Sequence, residues 1–329
     1  MSSIRRQTTV VRDGHHNAFT DLQYWQSLYW ISYRKGAGHV SMDGEVVVSV
    51  SSDRARFREV AHLKVPGDNR DPKFVPMAPD RMALIFPSSD GRCEWDSLDQ
   101  YVSFSSDGFH WDAPRRLPIQ RGLWLWRVRK HGELYYGMVY GRERKDHPRS
   151  LMLMTSPDML EWRYVAHLGR EEMNLNESDI TFRPDGTAWV IARAQCEPQT
   201  AFFFHAAPPY TQWQGHPLPA MIQSPIIFDS GSGLYVAGRY APALEGIKDF
   251  PWDRSLAIWK LSFGKIEPVL RIPACGDCAY PGLAKDADGR ICMSYYSQHA
   301  YYMGVVPGET PFPNKNAMPA DVYFAELDL

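Results

Sequence analysis

One turn recurs along this chain about every fifty residues, and that spacing limits the possible fold more than any other feature. SSDRARF (51–57), SSDGFHW (105–111) and SPDMLEW (156–162) each set Ser ahead of Asp and end on an aromatic. Phe57, Trp111 and Trp162 stand 54 and 51 positions apart. Trp213 comes 51 later in PPYTQW, and Phe263 a further 50 on in LSFGKIEPVL, both without the acidic turn. A second feature keeps step. SLYWISY (27–33), RMALIF (81–86), ELYYGMVY (133–140), TAWVIAR (187–193), GLYVAGR (233–239) and RICMSYYS (290–297) read as strands, most of them following a Gly, Asp or Ser turn. A unit of this length, rich in strand and poor in helix, matches a propeller blade of four strands. Helical repeats of similar length need a 3.6-residue apolar period, which is absent here.

The expectation is therefore an all-β, six-bladed β-propeller forming a single domain over 1–329. The blades fall at about 15–66, 67–120, 121–170, 171–220, 221–273 and 274–329. DVYFAELDL (321–329) reads as a late strand of blade six, and QTTVV (7–11) as the partner that closes the ring and removes an open sheet edge. Composition agrees. Aromatics make up 13 % of the chain, with 11 Trp and 17 Tyr, and 24 Gly and 25 Pro supply turns for many short strands.

A net charge of −2 gives no whole-chain attraction to nucleic acid or an anionic membrane. No apolar run is long enough for a membrane span, and MSSIRRQTTVVRDG has no apolar leader segment. The cytoplasm is the default location, with secretion left open. The five cysteines (Cys93, Cys196, Cys275, Cys278 and Cys292) are scattered and odd in number, so no disulfide framework is expected. Cys275-Gly-Asp-Cys278 is a lone CxxC without a second pair. Ordinary thiols are expected there, with no metal and no cofactor.

In a propeller the start of each unit faces one central mouth. The starts here are HHNAFTDL (15–22), DNRDPKFV (68–75), LWLWRVRKH (123–131), LNESDITF (175–182), IQSPIIF (222–228) and CGDCAYPGL (275–283). They are dense in ionisable and amide side chains, which a merely structural closure would not need. Beside Trp124 and Trp126 they suggest a site for a polar ligand with apolar ring faces, such as a sugar.

The Ser-Asp-aromatic turns resemble the Asp-box signature of sialidases and their relatives, which are six-bladed propellers. NESDITFRPDGTAWVIAR (176–193) is similar to the sialidase segment running Asn-Glu, strand, Asp-Gly, strand, Arg. That resemblance implies that Glu177 polarises a catalytic tyrosine and that Arg193 belongs to an arginine clamp on the substrate carboxylate. CAYPGLAKDADGRICMSYYS (278–297) resembles the nucleophile segment and implies Tyr280 as nucleophile. DRSLAIW (253–259) resembles the region of another clamp arginine, Arg254, with Arg239 competing for the role. HNAFTDL, RDPK and the YPG run look closest to a bacterial sialidase-like group.

Two departures stand out. Sialidases open with an Arg-Ile-Pro run that supplies a clamp arginine, whereas Asn17 stands near that place. Their catalytic Asp lies in a first-blade loop, and in YRKGAGHVSMDG (33–44) His39 occupies its position, with Arg34 able to restore positive charge.

The chemistry of these groups is coherent. A tyrosine, with a reference pKa near 10, needs a carboxylate to take its proton as it attacks. A neutral nucleophile suits a carbon that bears a carboxylate, and arginines hold carboxylates bidentately. His39 can give and take a proton near neutral pH. Arg70, Asp71, His16, Asn17, Asp21, Arg127 and Gln223 complete the expected binding set, while Asp53, Asp107 and Asp158 are expected to bind turn backbone away from the mouth.

The leading expectation is an exo-acting, sialidase-like hydrolase of an acidic terminal sugar, with an acidic glycan as its partner. A lyase acting on uronic acids and a non-catalytic glycan-binding propeller are the alternatives. A protein-interaction platform would not need this density of ionisable groups. The five-bladed invertase and arabinanase propellers share RDP (70–72) but place their three carboxylates differently.

Overall fold

Six antiparallel sheets surround a common axis in the computed structural model, which describes residues 2–92, 94–196, 199–241, 254–303 and 317–329. Cys93 and Asp253 lie outside the described residues. Each blade is a four-strand meander from axis to rim. Blade one runs His16–Trp25, Leu28–Gly36, Glu45–Ser51 and Arg58–Leu63. In blade two the inner strand is split into Asp68–Asn69 and Lys73–Ala78, both paired with Arg81–Ser89. The six strand-like runs of the sequence are the second strands of the six blades: Leu28–Gly36, Arg81–Ser89, Leu134–Gly141, Ala188–Ala192, Leu234–Tyr240 and Ile291–Ser297.

Ring closure follows the expected route. Ser3–Val11 is the outermost strand of blade six and pairs antiparallel with Asp321–Asp328, with Gln7 opposite Ala325 and Thr9 opposite Tyr323. The sheet that would present a free edge is thereby completed by a strand from the far end of the chain.

The core lies between the blades. Six large buried apolar clusters fill the gaps, one between each pair of neighbours, and a small seventh joins Cys275, Tyr302 and Met318. Trp126, Met138 and Leu153 of blade three, for example, meet Ile180, Val190 and Phe204 of blade four. Truncating one of these, such as Leu153→Ala, costs about 2–5 kcal/mol because packed neighbours cannot collapse into the gap.

The recurring turn has one geometry. Asp107 Oδ1 accepts from the backbone N–H of Phe109 and of His110 at 2.8 Å, and Asp158 Oδ1 from Leu160 and Glu161 at 2.8 and 2.9 Å. The residue three before each aromatic takes a left-handed backbone: Arg54 at φ +62°, Gly108 at +77°, Met159 at +70° and Tyr210 at +65°. The Trp111, Trp162 and Trp213 indoles each donate to the carbonyl of that residue. Blade four has therefore lost the acid and kept the turn. Phe263 does not repeat it. It sits exposed in a tight turn between Ser255–Ser262 and Lys265–Ile272, against Trp189 and Phe203. No helix of the described residues is long and apolar enough to cross a membrane.

Candidate functional site

The inner strands are bent where they reach the mouth. Register slips fall at Ala18/Asp21, Leu125/Arg127, Gln223/Ile226 and Ala279/Gly282. At or beside these bulges, and in the split inner strand of blade two, Phe19, Asp71, Ser224 and Tyr280 adopt left-handed backbones, with φ of +60°, +44°, +48° and +51°. Each such conformation costs roughly 1–2 kcal/mol for a residue with a Cβ. A bulge turns the next side chain out of the pleat, and strain of this kind gathers at sites of function. Gly282 makes the close approach of blades six and one possible, because a Cβ there would strike the backbone nitrogen of Leu22.

Tyr280 is set deep in this mouth. Its hydroxyl donates to Glu177 Oε1 at 2.8 Å. Its ring packs against Phe19, Trp126 and Tyr296, with centroids 4.8, 5.2 and 5.9 Å away. Burial, with Glu177 adding to it, pushes the phenol well above its usual range, so the neutral hydroxyl is the resting form. Glu177 is the opposite case. Burial alone would raise its carboxyl, but Arg193 and Arg239 outweigh that and hold it below the usual value. Arg193 Nη1 lies 3.0 Å from Glu177 Oε2, which also accepts from the backbone N–H of Ser224 at 2.7 Å. An ionised acceptor thus faces a neutral donor.

On the other side of the mouth Asp277 gathers four partners. Its Oδ2 lies 2.9 Å from His16 Nε2 and 2.5 Å from His39 Nδ1, and its Oδ1 accepts from Tyr296 at 2.7 Å and Arg239 at 3.3 Å. Sequence reasoning misses Asp277, which reads only as the middle of a CxxC. Its place three residues before Tyr280, inside a polar unit start, is the available signal. The flanking thiols of Cys275 and Cys278 are buried and free, pushed up to about 12 by burial.

A third group lies against blade two. Asp71 is almost wholly buried, and neither carboxylate oxygen has a hydrogen-bond partner. Its nearest charge is Arg70 Nε, 4.0 Å from Oδ2. Burial raises its pKa from 3.8 to about 6, against the pull of Arg70 and Lys73. Lys73, also unforeseen, is buried with Nζ 5.4 and 5.5 Å from the Trp126 and Tyr280 ring centroids, and burial lowers it to about 8.

Of these groups Glu177, Arg193 and Arg70 line a cleft of about 440 Å³, together with Trp124, Tyr140 and Arg149. Several buried polar atoms around it lack partners: Trp124 Nε1, Trp126 Nε1, Arg70 Nε and Arg193 Nε. Together with Asp71 they form an unsatisfied set of donors and acceptors, the condition a polar ligand would relieve.

The other expected residues divide into supports and seams. Arg239 spends its guanidinium on the Cys278 carbonyl (2.6 Å), Gln223 (3.0 Å), Asp277 and Tyr296, so Arg239 and Gln223 hold the Asp277 wall. Arg34 is fully buried on Asp68, the Gly38 carbonyl and Ser41, and the fold does not bring it to the cleft. The cation beside His39 is Arg70, which donates to the His39 carbonyl at 2.8 Å. Asp21 binds the Arg127 guanidinium at 3.1 Å and the Phe74 N–H at 2.9 Å, and Arg127 also donates to the Pro281 carbonyl; this pair ties inner strands together. Asn17 donates to Asp13 at 2.8 Å and stays at the seam near Ala320. Arg254 immediately precedes the third strand of blade five, within electrostatic reach of Cys278 and Tyr302 and outside the cleft lining.

No protein-family model and no curated relative matches the sequence. Solved structures do match in shape. A protein of unknown function from Dyadobacter fermentans superposes with a TM-score of 0.80 at 15 % identity, over all of this chain and 99 % of that one. Phage phi92 endosialidase gives 0.65 at 9 % identity, over 98 % of this chain and 69 % of its own. Trypanosoma rangeli sialidase gives 0.64 at 10 %, over 98 % of this chain and 59 % of its own. A family 117 glycoside hydrolase, Zg3597 from Zobellia galactanivorans, gives 0.54 at 11 %, over 78 % and 88 %. At these identities the likeness defines the class by fold alone, a six-bladed β-propeller.

Proposed function

We propose that this propeller is an exo-acting glycoside hydrolase that releases an acidic terminal sugar, with Tyr280 as nucleophile and Glu177 as its base. The observation that carries the reading is the 2.8 Å hydrogen bond from a half-buried, neutral Tyr280 hydroxyl to an ionised Glu177. Tyr280 sits in the bulge of its inner strand, and Glu177 immediately precedes the inner strand Ser178–Phe182. The names of the neighbouring structures, sialidases and a glycoside hydrolase, support a carbohydrate substrate in general.

In this reaction Tyr280 Oη forms a bond to the anomeric carbon as its proton passes to Glu177. The bond to the leaving oxygen breaks, and that oxygen takes a proton from His39. Water then displaces the tyrosine from the sugar, with His39 recovering a proton and Glu177 returning one to Tyr280. Arg193 and Arg70, on the cleft wall with spare N–H groups, receive the sugar carboxylate. Asp71 accepts from a ring hydroxyl when ionised.

One observation favours a second reading, β-elimination from a uronate. An imidazole stands opposite the tyrosine where an acid would suit hydrolysis. In a lyase His39 or Tyr280 would remove the proton next to a carboxylate neutralised by arginine. The test is incubation with sialosides and uronate-capped oligosaccharides, wild type beside Tyr280→Phe, with products read by mass and ultraviolet absorbance. Saturated acid released by wild type alone supports the hydrolase. An unsaturated product makes the protein a lyase, and binding without product in both proteins makes it a glycan-binding propeller.

A further inference from the structure

We infer that Asp277 is a positioning residue that fixes His39 in a single tautomer, hydrogen on Nδ1, and so makes Nε2 the nitrogen that exchanges protons in the mouth. The inference rests on the proposed chemistry for its purpose and on geometry for its content.

A carboxylate accepts hydrogen bonds and cannot donate them. Burial by itself would raise the Asp277 carboxyl, yet His39 and His16 hold it well below the usual range, so it stays ionised. Each ring nitrogen facing it must then carry hydrogen. That assigns N–H to His39 Nδ1, 2.5 Å from Oδ2, and to His16 Nε2, 2.9 Å from the same oxygen.

The two imidazoles differ in what remains. The His16 side chain is wholly buried, and burial lowers its pKa, so it is a fixed neutral donor whose Nδ1 has no partner. The His39 side chain is 37 % exposed, and its other nitrogen has no recorded protein partner. Its ring stands edge-on to Phe19 at 5.3 Å, and Phe19 packs against Tyr280 at 4.8 Å. One aromatic ring therefore separates His39 from the candidate nucleophile.

Asp277 is itself braced from all sides. Tyr296 and Arg239 hold Oδ1, and its backbone N–H donates to Gln298 Oε1 at 2.8 Å. Gln298 is anchored in turn on the Met318 carbonyl. Such bracing costs ordering entropy and strengthens no core, but it aims a carboxylate. A buried carboxylate that sets an imidazole's tautomer is a general device of proton-transfer sites.

The experiment uses the full chain labelled with ¹⁵N in its histidines. Long-range ¹⁵N–¹H ring correlations are recorded at alkaline pH, with His39→Gln giving the assignment. Wild type is expected to show His39 as the Nδ1–H tautomer, Asp277→Glu to keep it, and Asp277→Asn to lose it, since an amide can donate to the bare nitrogen. An Nε2–H tautomer in wild type overturns the inference, as does a tautomer unchanged in Asp277→Asn. These spectra need no substrate and decide the point even if Asp277→Asn fails to fold, through wild type and Asp277→Glu.

With a turned-over glycan, Asp277→Asn should lower kcat by about 10²–10⁴-fold with KM little moved. The double variant with His39→Gln should be no slower than His39→Gln alone. Wild-type turnover in Asp277→Asn overturns the positioning role while leaving the hydrolase standing. Absence of turnover in wild type sinks the hydrolase and leaves the tautomer to the spectra.

Discussion

Replacing Asp71 by Asn should make the protein more stable at neutral pH and leave it unchanged in acid. The side chain is 1 % exposed and neither oxygen finds a donor, so its negative charge is poorly compensated. Its pKa rises from 3.8 to about 6, first through burial, against the attraction of Arg70 and Lys73. At about 1.36 kcal/mol for each tenfold change in proton affinity, that difference is worth about 3 kcal/mol. The sign follows from linkage. Between pH 4 and 6 the native state holds a proton that the unfolded state has released, so unfolding free energy falls as pH rises through this window. An amide carries no such proton and escapes the loss. Denaturant titrations of both proteins from pH 3.5 to 8 should give curves that coincide in acid, diverge between pH 4 and 6, and run parallel above it, with the Asp71→Asn variant ahead by about 3 kcal/mol. Equal stability at pH 8, or an advantage independent of pH, would refute the reasoning, because it would mean that the carboxylate is solvated or paired in solution. A buried charge held against folding stability is the pattern expected of a site kept ready for a ligand.

Other outcomes follow from the same geometry. Tyr280→Phe and Glu177→Gln should each cut turnover of an acidic glycoside by at least about 10³-fold while far-ultraviolet circular dichroism stays unchanged; a loss under tenfold in either would remove that residue from the chemistry. Asp158→Ala should destabilise by about 1–2 kcal/mol in denaturant melts, since two backbone N–H groups lose their acceptor, and activity at saturating substrate should be retained. Removing residues 2–11 should expose the Asp321–Asp328 edge, lower the thermal midpoint and promote self-association visible by light scattering.

The fold is legible because the repeated signals are chemically strong. Six second strands are runs of apolar and aromatic residues with both faces buried, and their spacing matches the aromatic turns. Phe263 keeps that spacing by coincidence; its Gly264 turn lacks the left-handed residue three places before it. Tyr280, Glu177, Arg193 and His39 are readable because each sits in a motif of distinct residue types. Asp277 is hidden by the two cysteines around it, whose spacing attracts attention to sulfur. Arg34 and Arg70 cannot be told apart in sequence. Only the fold reveals that Asp68, the Gly38 carbonyl and Ser41 take up the first, while the second shares Asp68 and keeps its Nε unbonded on the cleft lining. Lys73 looks like a surface cation until the break in the inner strand at Asp71 turns it beneath an aromatic ring.

The ring is joined by its farthest parts, with Ser3 and Asp328 in contact across 325 positions. The Asp277 cluster lies on that same seam, since His16 and His39 come from blade one and Asp277 from blade six. As the chain is synthesised, five blades can form before this cluster has all its members. Loosening of the last blade would scatter them while the other five stay paired. The joint therefore works as an interlock: the mouth holds the full Asp277 cluster only while the circle is shut, so under the proposed function turnover would report closure rather than folding in general.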